Sequence, residues 1–161
     1  MHDTNLISSL QQQIKSMHQE KRSNTISIYR VPPHLRKVEP TAYDPHFISI
    51  GPYHHNSPNL HSYQNIKLRS LDRLVGNELG QLLENLSSIE EEARGCYSDD
   101  LLINRDDFIK MMLLDGCFII QLFRDLNKTN FTRSPLFTKR WMLLVVRRDL
   151  FTLENQIPMI V

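Results

Sequence analysis

A chain of 161 residues is long enough for one ordinary domain with its own core, and 40% hydrophobic with 23% charged content excludes a disordered chain. A net charge of +1 argues against the basic footprint of a nucleic-acid binder. Two cysteines, Cys96 and Cys117, are too few for a disulfide scaffold and read as buried, reduced thiols.

Residues 1–25 are polar and hold no continuous apolar run, so no secretory signal is expected. No membrane span is expected either: Asp115 interrupts the run after Met111–Leu114, and Arg147 and Arg148 follow Met142–Val146. The chain as written therefore reads as soluble and cytoplasmic. Leu6, Ile7, Leu10, Ile14 and Met17 fall on one stripe opposite a glutamine-rich face, with Asp3 or Thr4 as the cap. This predicts an N-terminal amphipathic helix over 1–23 that docks on the rest of the chain or on a partner.

Residues 24–62 hold six of the eight prolines, Pro32, Pro33, Pro40, Pro45, Pro52 and Pro58. They forbid a long helix and keep the backbone extended or turning. Ile26–Tyr29 and Phe47–Ile50 are predicted as small strands, with a turn at Gly51-Pro52. Apolar anchors such as Ile28, Val31, Phe47 and Ile48 mark an ordered segment, not a linker.

The remainder reads as helical. One stripe is Leu68, Leu71, Leu74 and Val75; a second is Leu79, Leu82, Leu83, Leu86, Ile89 and Ala93, with Gly76 and Gly80 as bends or breaks between them. Asn104 before Asp106 and Asp107 is a helix start favoured by the dipole. Phe108–Phe123 is apolar on nearly every face and predicts a central helix buried on all sides. A last helix is expected over 137–153, and Pro158 suits the first turn of another. The fold class expected is mainly α: a helical bundle around that central helix, wrapped by the proline-rich segment. The sequence stops in an open apolar run, Ile157, Met159, Ile160 and Val161. The unit over 24–161 is therefore expected to be incomplete at its C-terminus and to leave an exposed apolar patch.

Candidate sites divide into structural and chemical readings. His34, His46, His54, His55 and His61 crowd the proline-rich segment, but their spacings match no zinc signature and no metal is expected. Asp115, mid-helix among apolar residues, needs a partner; Arg94 and the histidines or tyrosine of Ile50–His55 are the candidates. Glu90 and Arg94 are spaced for a helical salt bridge, though Arg94 also has Asp115 and Glu154 as alternatives. Glu154-Asn155-Gln156 is expected to satisfy backbone groups where two helices meet at Pro158. Nothing depresses a thiol pKa, and glycine spacings for a phosphate loop or a nucleophile elbow are missing, so no cofactor is expected. Arg133, Lys139, Arg140, Arg147 and Arg148 read as the solvated flank of a buried helix.

The islands IYRVPPHLR (28–36), ISIGPYHH (48–55), EEEARGCY (90–97), MMLLDGCF (111–118) and DLFTLENQIPMIV (149–161) occur in one fixed order. In that order they resemble the N-terminal part of the plant domain of unknown function 247 family, over about 28–161. The positions that carry the resemblance as a structural signature are Arg36, Gly51, Pro52, Tyr53, His54, Glu90, Arg94, Asp115, Gly116, Glu154, Asn155, Gln156 and Pro158. Lys67 and Asp149 are also shared. The resemblance implies longer relatives that end in a hydrophobic helix anchoring them at the plasma membrane, a helix this chain lacks. It supplies no catalytic, cofactor-binding or metal residues to carry over. Links of some grass members to pollen–stigma self-incompatibility imply recognition, not turnover. The expected function is a non-enzymatic interaction module with a protein partner. The alternatives are an enzyme using Asp115 or Glu154 with a loop histidine, or a remnant that does not fold alone.

Overall fold

Asn104 starts the helix around which the other elements gather. Its side-chain oxygen accepts from the Asp107 amide at 2.8 Å, and Asp106 and Asp107 complement the positive end of the dipole. The computed structural model describes residues 2–23, 26–127 and 140–161, and among these the fold is mainly α. In order come α1 (His2–Ser23), α2 (Pro33–Val38), α3 (Gln64–Val75), α4 (Leu79–Ser88), α5 (Glu90–Gly95), α6 (Arg105–Leu126) and α7 (Arg140–Leu150). Phe108, Met111, Met112, Phe118 and Leu122 of α6 are fully buried and contribute to the apolar clusters of the core, with Asp115 buried among them. Burial on all sides does not extend to the end of the helix. Ile120 and Phe123 are 50% and 58% exposed, because no described element covers that face.

The stripe expected on α3 holds at Leu71, Leu74 and Val75, which pack on the core, but fails at Leu68. Leu68 is exposed, whereas Ile66, Lys67, Ser70 and Val75 face inward. The cause is an ion pair that hydrophobic periodicity does not see: Lys67 Nζ lies 2.5 Å from Asp115 Oδ1, with both side chains excluded from water. Ser70 returns its hydroxyl to the Ile66 carbonyl at 3.0 Å and so adds no unsatisfied group. Gly76, at φ +45°, ends α3, and a short 3₁₀ turn, Gly76–Glu78, leads into α4. Gly80 sits within α4 and breaks nothing. α4 turns Leu82 and Leu86 toward Val75, Leu113 and Cys117 and leaves Leu79 and Leu83 exposed. Both cysteines are buried and free.

Neither expected strand forms; an isolated parallel bridge between Ile28 and Tyr97 is the β pairing found among the described residues. The Ser27 and Ile28 amides share the Cys96 carbonyl at 2.9 Å, and the Ser98 amide donates to Ile28 O at 3.0 Å. Among the described residues Phe47–Ile50 has no neighbouring strand; buried side chains take that place. At the C-terminal end, α7 stops at Leu150, short of the expected 153, and 137–139 lie outside the described residues. Pro158 begins a turn closed by the Val161 amide on the Pro158 carbonyl at 3.1 Å. α1 forms, but Leu6, Ile7, Leu10 and Ile14 are all about half exposed or more (49–62%), so the described part of its apolar stripe does not dock on the body. The clusters are closed by other residues, and none includes a residue of α1.

The Lys67–Asp115 pair fixes the rotation of α3 against α6, and removing one partner strands a charge in the core. Lys67→Met is expected to lower stability by about 3–5 kcal/mol, as is Asp115→Leu. The double variant should recover part of that loss. Urea midpoints in a double-mutant cycle check it, and additive losses would refute the coupling.

Candidate functional site

The buried polar residues converge on the proline-rich segment from two helices and one turn. Asp149, in the last turn of α7, accepts from the His46 amide at 2.9 Å, Phe47 at 2.6 Å and Ile48 at 3.0 Å. Asn155 accepts from the Ile50 amide at 2.6 Å and donates Nδ2 to the Ile48 and Asp149 carbonyls at 3.1 and 2.9 Å. Asp115 takes the next amide, Gly51, at 2.8 Å with the oxygen that does not face Lys67. Glu154 reaches further along the chain, accepting from the Val31 amide at 2.5 Å and from Arg36 Nη2 at 2.8 Å. Its backbone is in the left-handed region, at φ +71°, the one non-glycine there among the described residues. The surrounding hydrogen bonds hold it in that costly conformation.

Gly51 is also left-handed, at φ +74°, and packs against the Gln156 backbone: a Cβ there would lie 2.2 Å from the Gln156 carbonyl oxygen. Tyr97 donates its hydroxyl to the same carbonyl at 3.0 Å. Burial, with Asp115 nearby, holds the Tyr97 phenol well above its usual value. Burial also raises the Asp115 carboxyl, while Lys67 and the Gly51 amide oppose the shift. Pro52 opens the next turn, its carbonyl accepting from His55 N at 3.3 Å.

Several sequence-derived pairings are corrected. Arg94 turns to neither Asp115 nor Glu154. It pairs with Glu90 at 2.7 Å, donates to the Leu101 and Ile103 carbonyls and lies over the Phe108 ring, so it closes the loop before α6. The Glu154-Asn155-Gln156 triplet serves the proline-rich segment and Tyr97, not a helix junction at Pro158. Arg148 is more than a solvated flank. It donates to the Asp44 and Ala42 carbonyls at 2.9 and 3.0 Å and pairs with Asp149 at 3.1 Å, clamping the 41–44 turn. Arg133 and Lys139 lie outside the described residues. Lys67, Asp149 and Asp44 were missed as partners. Only the family resemblance, which Lys67 and Asp149 share, pointed to those two, since charge and periodicity do not mark them.

Two of the concave features among the described residues border this network. One is an open cleft of about 770 Å³ lined by Arg30, Arg36, Asp44, Tyr53, His54 and Glu154. Arg36 bridges Asp44 at 2.6 Å and Glu154 at 2.8 Å, and these carboxylates hold its guanidinium even above its usual range. Arg30 lies over the Tyr53 ring at 4.3 Å and pairs with Asp99 at 2.7 Å. His54 Nε2 is 3.4 Å from Glu154 Oε2. Asp115 does not line this cleft, so the two acids proposed for catalysis do not share a site. The other is an apolar groove of about 440 Å³, lined by Ile28, Gly116, Ile119, Ile120, Ile157 and Met159, with Pro158 at its wall. Among the described residues, no group of three or more His, Cys, Asp or Glu is placed to hold a metal ion.

Gly51→Ala is expected to be severely destabilising, because the added methyl meets fixed backbone and the left-handed conformation penalises any side chain. A thermal melt of the variant checks it, and a wild-type Tm would contradict the geometry. Burial holds the His54 and His55 imidazoles below their usual 6.5, even with Glu154 beside His54. The unfolded chain therefore takes up these protons first on acidification. Stability contributed by the neutral rings is full above 6.5 and is lost as pH falls below it through the folded values. Denaturant titrations from neutral to mildly acidic pH should show that decline, flattened in His54→Gln.

The family profile described as "Plant protein of unknown function" (domain of unknown function 247) matches residues 28–161. Among curated relatives, the UPF0481 protein At3g47200 of Arabidopsis thaliana is 34% identical over 141 residues, covering 83% of this chain and 29% of the relative. The putative UPF0481 protein At3g02645 of the same plant is 33% identical over 142 residues, covering 85% and 26%. The chain thus spans under a third of the length of these relatives. No solved structure matches. With its buried acids, left-handed glycine and terminal polar triplet all inside the matched region, the chain belongs to this plant family.

Proposed function

We propose that the chain is a non-catalytic recognition module that binds a protein partner through the apolar groove beside α6. One observation carries the reading. The two acids weighed for catalysis are turned inward and committed, while groups suited to contact are left outside. Both oxygens of Glu154, and both of Asp115, already serve an amide and a cation. Ile120 and Phe123 on α6 and Met159 beside the groove, by contrast, are exposed where a partner would gain by covering them. Attachment to the plasma membrane is the second part of the proposal and rests on family resemblance; among the described residues no helix is long and apolar enough to cross a membrane. The partner's own face is expected to be apolar, since the groove offers few polar groups.

Proximity labelling in plant tissue tests this, with three forms side by side: the natural chain, Ile120→Asp in the groove, and Leu102→Asp at an exposed site away from it. The natural chain and Leu102→Asp should label the same set of proteins, and Ile120→Asp should lose most of that set. Identical sets from all three would overturn the groove as the contact surface. The rival catalytic reading needs His54 and Glu154 to act at the open cleft. A reaction abolished by the conservative Glu154→Gln, with folding unchanged, would favour it instead.

A further inference from the structure

We propose that α1 pairs with α1 of a second copy of this chain in a parallel two-stranded coiled coil. A lone helix in water draws little stability from propensity; most comes from packing an apolar face. α1 has such a face and no described residue covers it: Leu6 is 62% exposed, Ile7 53%, Leu10 49% and Ile14 51%. The sequence shows what would. Ile7, Leu10, Ile14 and Met17 follow at the alternating three- and four-residue spacing of a heptad seam, with isoleucine at both a positions and leucine at the first d position. Among parallel coiled coils, β-branched residues at a with leucine at d favour two strands.

The flanking seam positions agree. Gln11, Gln13 and His18 at e and g bring no like-charge clash across a parallel pair, and Leu6 at g widens the apolar contact. A lipid surface fits less well. Helices that lie on membranes carry lysine and arginine along the polar face, whereas between Leu6 and Met17 the sequence offers Ser8, Ser9, Gln12 and a single cation, Lys15. Pairing uses a surface separate from the groove beside α6, so the failure of either proposal leaves the other standing. Its consequence is that two groove-bearing bodies are tethered side by side, which raises their avidity for a partner with repeated binding segments.

Sedimentation equilibrium of the full chain over a wide concentration range tests the pairing. A reversible monomer–dimer equilibrium is expected. Leu10→Lys should weaken it by about tenfold or more, while Ile120→Lys should dimerise as the natural chain does. Near-ultraviolet circular dichroism should be the same for Leu10→Lys and the natural chain, because α1 adds nothing to the core. A chain monomeric at every concentration would overturn the proposal, as would dimerisation that survives Leu10→Lys or is lost in Ile120→Lys. Cosedimentation of a monomeric chain with phosphatidylserine-containing vesicles, lost on Leu10→Lys, would overturn it in favour of a lipid surface.

Discussion

Between His46 and Gly51 the backbone runs through the core with no neighbouring strand among the described residues, and five of its amides are accepted by buried side chains: Asp149 takes three, Asn155 one and Asp115 one. A buried amide without an acceptor costs free energy comparable to a lost hydrogen bond, so this segment needs those side chains as a strand needs its ladder. The need is mutual. A carboxylate taken out of water requires donors, and each acid here has amides on one side and a cation on the other. Lys67 serves Asp115, Arg148 serves Asp149, and Arg36 serves Glu154. Substituting side chains for a partner strand lets a proline-dense segment enter the core, where prolines would otherwise break a sheet.

That arrangement sets the orientation of the helices. α3 turns toward Lys67 instead of Leu68 because Asp115 waits on α6, and the last turn of α7 is pinned by Asp149. The partners are far apart in sequence: Asp149 meets the 46–48 amides about a hundred residues away, and Glu154 meets Val31 over a greater separation. The segment gains its acceptors only when α6 and the C-terminal turn are in place. Ordering of the wrapping loop is therefore tied to closure of the whole unit, and loss of one acid releases a stretch of backbone, not a single contact.

The sequence was readable wherever a single physical signal governs. The Asn104 cap, the break at Gly76 and the apolar residues of α6 follow from local chemistry, and so does exclusion of a long helix by the prolines. It misled where two long-range partners override a local preference. Phe47–Ile50 has strand composition, yet its acceptors are side chains, and no pattern in the segment itself announces that. The Glu90–Arg94 spacing led to a real pair, but among the candidates named for Asp115 the true partner, Lys67, was missing, because nothing in its local pattern marks it as buried. The triplet at Glu154 was recognised as polar glue, but what it glues lies more than a hundred residues earlier. A left-handed glutamate leaves no trace in residue type, unlike the glycine at position 51.

The same partner rule limits what a covering element can be in the longer relatives. The exposed face of α6 presents Ile120 and Phe123, and the groove beside it is walled by Ile119, Ile157 and Met159. None of these can satisfy a polar group, so an element laid over them must bring apolar side chains and a backbone whose hydrogen bonds are already closed, as in a helix. The open cleft imposes the opposite condition. Arg30, Arg36, Asp44 and Glu154 already balance one another there, and a charged group entering it has to break an existing pair before making its own. Apolar contact beside α6 therefore costs no existing interaction, whereas binding in the cleft does. On that difference the contact proposed here belongs beside α6 and not in the cleft.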